Sequence, residues 1–135
     1  MSRPRFRTLS HRADLRVAVW GDSEEELIAN AVLGVMTLAL GAPPTIGALR
    51  RAAIRPWPDD LPSRLVRAVN ESLFSLYARH EVAVGCELAG LRATLVVGPL
   101  PPGVVPQVEV KAATYHDLRP RRHRRRHAAI LTLDV

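Results

Sequence analysis

Segment 110–118 of this chain holds three side chains able to exchange protons or donate hydrogen bonds: Lys111, Tyr115 and His116. Lys111 is the only lysine, while the other basic residues are arginines or histidines. A position that keeps lysine in such a chain indicates a need for a compact, flexible ammonium rather than a planar guanidinium. The three groups suit an acid/base set, yet in an extended strand Lys111 and Tyr115 share one face and His116 takes the other. Alternatively, Tyr115 and His116 close a strand end structurally.

Two isolated acids are candidate metal ligands. Asp14 follows His11 in a turn before a predicted strand, and Asp134 ends the last predicted strand beside the Val135 carboxylate. If these strand ends meet, three carboxylates converge, and two unit charges about 4 Å apart repel by roughly 4 kcal/mol at an effective dielectric of 20. Such a cluster requires a cation, and oxygen ligands suit Ca²⁺, Mg²⁺ or Mn²⁺. The simpler interpretations are a turn-capping Asp14, a solvated Asp134 and a structural, hydrogen-bonding His11.

Residues 119–127 are dominated by arginine, in a chain whose formal net charge is +6. Such a run suits phosphate binding, where each neutralised phosphate adds about 0.9 to the salt slope on duplexes and about 0.7 on single strands. No aromatic residue lies within the run, so base stacking is not indicated. The alternative is a solvated hairpin loop, in a sequence whose arginine content also fits a GC-rich genome. The candidate phosphate contacts are Arg121, Arg122, Arg124, Arg125 and Arg126.

Length and composition favour one domain, residues 1–135, because two domains of half this size would have poor cores. Aromatic residues are few, which predicts an aliphatic core. Cys86 is the only cysteine, so no internal disulfide can form and a cytoplasmic location is expected. Its apolar surroundings predict a buried thiol. The basic N-terminus lacks a following apolar region, and the apolar stretch 27–42 is too short for a membrane span.

The hydrophobic patterns predict two helices and seven strands. The first helix follows a cap at Asp22 or Ser23 and stops at Gly41. The second follows a cap at Asp59 or Asp60, and its predicted buried stripe is Leu65, Val66, Val69, Leu73, Leu76 and Tyr77. The predicted strands are residues 5–9, 15–20, 46–57, 81–88, 91–97, 107–114 and 128–135. This order predicts an α+β fold with two helices packed on one mostly antiparallel sheet.

Four motifs, taken together, resemble the archease family over nearly the whole chain. They are the stretch from His11 to Asp14, the entry into the first helix at residues 20–25, the segment 109–118, and the closing residues 133–135. The stretch VKAATYH is the most specific of these, and Asn70 with Glu71 sits where the family carries its second helix. The resemblance implies an archease-like α+β fold.

The same resemblance implies an activator rather than a free-standing enzyme. Archeases assist the GTP-dependent RNA ligase that seals 2′,3′-cyclic-phosphate and 5′-hydroxyl ends in tRNA splicing and RNA repair, by promoting ligase guanylylation and multiple turnover. The family's divalent metal, typically calcium, with magnesium or manganese as alternatives, maps onto Asp14, Asp134 and Val135. The surface that would meet the ligase maps onto His11, Lys111, Tyr115 and His116. RNA would be contacted through the ligase.

Two other functions compete with this expectation. A basic RNA-binding or chaperone module would act through the arginine-rich run and bind RNA directly. A metal-dependent hydrolase would turn over an RNA or phosphate ester without any partner, but the sequence contains no evident water-activating set. The oligomeric state is left open by the sequence.

Overall fold

Within residues 5–9 and 14–135, the part of the chain that the computed structural model describes, eight strands and two helices form. The strands are β1 Phe6–Leu9, β2 Leu15–Gly21, β3 Arg50–Ile54, β4 Glu81–Ala89, β5 Arg92–Pro99, β6 Ala112–Thr114, β7 Arg121–His123 and β8 Arg126–Asp134. The helices are α1 Glu24–Leu40 and α2 Leu61–Arg79. The predicted α+β class with two helices is confirmed.

The described strands pair antiparallel throughout, but they form two sheets instead of the single sheet expected. The first sheet has the order β1-β2-β8-β6, and β7 also pairs with β8. The second has the order β3-β5-β4. Helix α1 packs against β2 of the first sheet and β4 of the second, so the two sheets share one core without sharing a ladder.

Both ends of α1 follow from local chemistry. The Ser23 hydroxyl accepts a hydrogen bond from the Glu26 N–H at 3.0 Å, which satisfies one of the free donors of the first turn. Three glutamates in that turn lie at the positive end of the helix dipole. At the other end Gly41 takes φ 80 and donates its N–H to the Thr37 carbonyl, a backbone conformation that favours glycine.

Helix α2 begins after Asp60, whose carboxylate accepts from the Ser63 N–H at 3.0 Å. That hydrogen bond holds the pKa of Asp60 below its usual value. The predicted stripe is buried except for Tyr77, which is 39% exposed. Tyr77 was expected inside because it continues the apolar spacing, but its hydroxyl bonds to backbone groups at the helix surface.

The core is aliphatic, as the composition predicts. Its largest fully buried side chains are Leu27, Ile28, Met36, Leu65, Leu76, Leu131 and Leu133. Gly34 in α1 is needed for the approach of β1, since a Cβ at this position would lie 2.8 Å from the Phe6 ring. Cys86 is buried as expected, and loss of hydration raises the pKa of its thiol to about 12.

Two predicted strands are much shorter than expected. The strand predicted over residues 46–57 is confined to β3, and the one over 107–114 is confined to β6. The N–H groups of Gln107 and Val108 both bond to the Ala39 carbonyl at the end of α1. The Val110 N–H bonds to the Tyr77 hydroxyl at 3.0 Å. Because these donors bond to helical partners, residues 107–110 form no ladder with β8.

Conversely, the predicted loop over residues 116–127 contains a strand. β7 pairs with the start of β8 in a tight hairpin whose two turn residues are Arg124 and Arg125. Neither α1 nor α2 is long and apolar enough to cross a membrane, and these are the helices of the described residues.

Candidate functional site: an acidic pocket beside an aromatic surface

An open pocket of about 280 Å³ lies at the edge of the first sheet where β2 begins and β8 ends. In the β2–β8 register Leu15 faces Leu133, so Asp14 and Asp134 come to the same edge of the sheet. Both line the pocket, together with Thr114, His116, Thr132 and Leu133. The two aspartates singled out from the sequence are therefore brought together by antiparallel pairing of the two strands.

Two threonines fix the wall of this pocket. The Thr132 hydroxyl donates to the His116 carbonyl at 3.2 Å. The Thr114 hydroxyl donates to the Thr132 carbonyl at 3.4 Å and accepts from the His116 N–H at 3.3 Å. The backbone of His116 is held by these bonds, while its exposed ring places Nε2 3.3 Å from a carboxylate oxygen of Asp117. Sequence reasoning did not identify either threonine, and their alternation with Ala113 and Leu133 is an ordinary strand pattern.

The described residues fit a divalent cation only in part. Asp14 and Asp134 supply two carboxylates, and Val135 follows Asp134 directly. However, no three His, Cys, Asp or Glu side chains of residues 5–9 and 14–135 are grouped closely enough to hold a metal ion. The hydroxyl protons of Thr114 and Thr132 are already donated to carbonyls. A hydroxyl that donates its proton keeps lone pairs on its oxygen, so these two oxygens remain available as neutral ligands beside the carboxylates.

Lys111 and Tyr115 face a different surface from His116. The Lys111 N–H donates to the Asp134 carbonyl at 2.7 Å, which ties the backbone of segment 110–118 to the acidic pocket. Its side chain, however, lines a depression against α2 with Phe74 and Tyr77. Tyr115 lines a neighbouring depression that also includes Phe74. A single acid/base set of Lys111, Tyr115 and His116 is therefore not formed, because β6 ends at Thr114 and His116, in the turn that follows, lies on the pocket side.

Exposed aromatic rings distinguish this α2 surface. Phe74 is 53% exposed and Tyr115 is 58% exposed, and the Arg79 guanidinium lies 5.3 Å from the centroid of the Phe74 ring. Aromatic and arginine side chains are enriched in the centres of protein interfaces. We call Lys111, Phe74, Tyr77 and Tyr115 the aromatic surface.

Asn70 and Tyr77 anchor segment 110–118 to α2. The Asn70 side chain accepts from the Ala113 N–H at 2.7 Å and donates to the Ala113 carbonyl at 3.3 Å. Asn70 and Tyr77 are two helical turns apart, so they present polar atoms on the same face of α2. Sequence reasoning noted Asn70 only as a helix position, although a polar residue on a largely apolar face was a usable signal.

The remaining predicted site residues are placed as follows. His11 lies outside the described residues. The five arginines of the predicted phosphate contact, Arg121, Arg122, Arg124, Arg125 and Arg126, are all exposed on the β7–β8 hairpin. The hairpin is remote in sequence from the Asp14 end of β2 but is carried by the same strand, β8, that ends at Asp134.

Comparison with known proteins supports one family. A search of the curated proteins gave no match. A solution structure of Methanobacterium thermoautotrophicum protein 1598 is 21% identical, with a TM-score of 0.71 over 98% of this chain and 100% of that chain. A crystal structure of an archease from Thermotoga maritima, described as a possible chaperone, is 17% identical, with a TM-score of 0.68 over 100% of this chain and 98% of that chain. These two likenesses show a shared fold.

The family model described as the archease protein family matches residues 6–135. That range includes both strands that carry the acidic pocket and the whole of segment 110–118. The chain therefore belongs to the archease family.

Proposed function

We propose that this protein is a non-catalytic, cytoplasmic activator of a GTP-dependent RNA ligase in tRNA splicing or RNA repair. It would promote guanylylation of the ligase and its multiple turnover. Membership of the archease family supports this proposal. The observation that carries it is the meeting of Asp14 and Asp134 in one open pocket, next to an exposed aromatic surface suited to a protein partner.

A divalent cation held by Asp14, Asp134 and Val135 is part of the proposal, with calcium as the expected ion and magnesium or manganese as alternatives. Two carboxylates lining one pocket offer the oxygen ligands that these divalent cations prefer. The cation would supply positive charge at the pocket mouth. The protein's own contribution is rigidity, because the threonine hydroxyls hold the His116 backbone against β8.

The aromatic surface is the proposed docking site for the ligase. Phe74 and Tyr115 offer large apolar area that is exposed in the free protein. Lys111 adds a compact positive charge that can meet a carboxylate or phosphate of the partner. The Lys111 N–H is bonded to the Asp134 carbonyl, so the docking surface and the acidic pocket are joined through one short piece of backbone.

Multiple-turnover ligation tests the proposal. RNA with 2′,3′-cyclic-phosphate and 5′-hydroxyl ends is given to limiting ligase from the same organism, with GTP, with or without this protein. We expect stimulation by the wild type, loss of stimulation by Asp14→Asn and Asp134→Asn, and full stimulation by Asp59→Asn. Asp59 is a matched control because it is an exposed carboxylate in the turn before α2. Ligation that is equally fast with and without the protein would refute the activator function.

Two further measurements separate the cation from the docking surface. Calorimetric titration should detect calcium binding to Phe74→Ser but not to Asp134→Asn. Ligase capture on immobilised protein should be weakened by Phe74→Ser and by Lys111→Arg, which keeps the charge but changes its shape. Full stimulation and capture by Lys111→Arg would show that the lone lysine has no special role.

A further inference from the structure

A second concave surface lies on the outer face of the first sheet, away from the core. It is a groove of about 600 Å³ that crosses β1, β2, β8 and β7. Alternation along the strands sends Val17, Val19 and Leu131 into the core and leaves the intervening residues on this face. Ala18 and Ala128 form a low floor, because their side chains are small, and longer side chains surround them. We call this surface the arginine groove.

Positive charge in the arginine groove is largely uncompensated. Among the residues that the structure describes, its lining contains one carboxylate, Asp117, against five arginines: Arg7, Arg16, Arg119, Arg121 and Arg126. Arg119 lies 4.0 Å from that carboxylate. In the part of the chain that the structure describes, no carboxylate forms an ion pair with Arg7, Arg16 or Arg121.

Several arginines outside the groove form ion pairs with carboxylates. Arg50 pairs with Glu81 and Arg51 pairs with Glu87 across the second sheet. Arg67 pairs with Glu71 on α2. The groove therefore brings together three guanidinium groups that have no carboxylate partner among the described residues, those of Arg7, Arg16 and Arg121. Unpaired guanidinium groups around a concave floor are suited to bind phosphates, which accept their paired hydrogen bonds.

The groove also contains an aromatic platform that the sequence did not reveal. The Arg126 guanidinium lies 5.1 Å from the centroid of the Trp20 ring. No aromatic residue interrupts the arginine-rich run in sequence, but the β2–β8 register places Trp20 opposite Ala128, and β7 places Arg121 opposite the same alanine. Trp20 thus brings an aromatic ring beside this arginine run, although the run itself contains none. Planar rings and guanidinium groups both stack on nucleic-acid bases.

From these observations we infer that the arginine groove binds single-stranded RNA, with arginines on the phosphates and a base stacked at Trp20. A duplex would present no free base to Trp20, so the platform favours a single strand. The groove spans four strands, or roughly 15 Å at a strand spacing of about 4.8 Å, which is room for a few nucleotides. The inference is independent of ligase activation, since it concerns the opposite face of β8 from the core and needs no partner.

The first test measures the salt dependence of binding to a fluorescein-labelled, 12-nucleotide single-stranded oligouridine. If Arg7, Arg16, Arg121 and Arg126 each neutralise one phosphate, affinity should fall about 50-fold between 50 and 200 mM salt, at about 0.7 in slope per contact. For the double variant Arg16→Gln, Arg121→Gln, the affinity should fall only about 7-fold over the same range. Arg92→Gln is the control, because Arg92 is exposed on β5 of the other sheet. It should retain the full salt dependence.

The second test reports on the aromatic platform. The chain has two tryptophans, so Trp57→Phe leaves Trp20 as the only one. We expect its fluorescence to be quenched when oligouridine binds. Trp20→Leu should lower the affinity roughly 5- to 150-fold, and Trp20→Phe should lower it much less, since a phenylalanine ring still stacks. If Trp20→Leu does not fold, Arg126→Gln should still reduce both the affinity and the quenching.

Several other results would contradict RNA binding at the arginine groove or assign the groove to another ligand. Failure of the wild type to bind oligouridine at 50 mM salt overturns it. Equal competition by a 12-base-pair RNA duplex overturns the single-strand assignment, and stronger competition by polyglutamate assigns the groove to an acidic protein instead. Loss of oligouridine binding in Asp134→Asn would place the RNA site at the acidic pocket and also overturn the inference. Ligase stimulation that fails while oligouridine binding persists would refute only the activator function.

Discussion

The Asn70 side chain forms two hydrogen bonds with the backbone of Ala113, accepting from its N–H at 2.7 Å and donating to its carbonyl at 3.3 Å. This amide thereby takes the place of a neighbouring strand for β6, which has β8 on its other side. Segment 110–118 is thus fixed between β8 and α2. The acidic pocket and the aromatic surface lie on either side of it.

Replacing Asn70 should destabilise the protein by leaving buried backbone groups without partners. We expect Asn70→Ala to lower the free energy of unfolding by about 1–3 kcal/mol. Asn70→Asp should lower the free energy of unfolding less than Asn70→Ala does, since a carboxylate still accepts a hydrogen bond from the Ala113 N–H. Urea unfolding gives the measurement, with Asn30→Ala as the comparison because the Asn30 side chain donates one hydrogen bond among the described residues, to the Trp20 carbonyl. A smaller loss for Asn70→Ala than for Asn30→Ala would contradict the anchoring role.

The thiol of Cys86 should be unreactive in the folded protein. Burial, with a smaller contribution from the charge of Glu25, raises its pKa to about 12. At pH 8 the thiolate fraction is then on the order of one in ten thousand. Labelling with a chromogenic disulfide reagent should be very slow in buffer and fast in guanidinium chloride. Since Cys86 is the only cysteine, any rapid labelling of native protein would show that the site opens readily.

Stability should decrease in acid as the ion pairs of the second sheet are lost. The Arg50 guanidinium donates to Glu81 at 2.7 Å and holds the pKa of that carboxyl below its ordinary value of about 4.5. A carboxyl with a lowered folded pKa stabilises the fold fully above its unfolded pKa, and this contribution disappears as the pH falls through the folded pKa. The pKa of Glu87 is lowered in the same way by Arg51.

We therefore expect the urea midpoint to fall as the pH is lowered from 6 to below 4.5, and Glu81→Gln to reduce this dependence. Glu109→Gln is the control, because Glu109 is an exposed carboxylate outside the second sheet. Equal pH dependence in the two variants would show that the Arg50–Glu81 pair makes no contribution.

The turn of the β7–β8 hairpin carries local backbone strain. Arg124 has φ 57, in the left-handed region that glycine adopts without steric cost. Arg124→Gly should raise the free energy of unfolding by about 1 kcal/mol. Arg125→Gly removes the same charge but relieves no strain. It should lower the free energy of unfolding by roughly 0.5–1 kcal/mol. Thermal unfolding of the two variants distinguishes these effects, and the opposite order would exclude strain at Arg124.

Local chemistry in the sequence determined the helices and the fold class. The caps at Ser23 and Asp60, the stop at Gly41 and the apolar stripes of both helices were readable because they depend on residues a few positions apart. The same holds for the burial of Cys86 and for the strand ends that carry Asp14 and Asp134. Sequence motifs also indicated the archease family, which the family match confirms.

Only the tertiary structure decided which distant groups meet. Residues 107–110 look like a strand, yet their N–H groups bond to Ala39 and Tyr77. Trp20 reaches Arg126 through the register of β2 with β8, although the two residues lie far apart in the chain. Each of these contacts depends on hydrogen-bond donors, acceptors and rings supplied by remote segments, and the periodicity of a single segment does not specify which remote partner it will find.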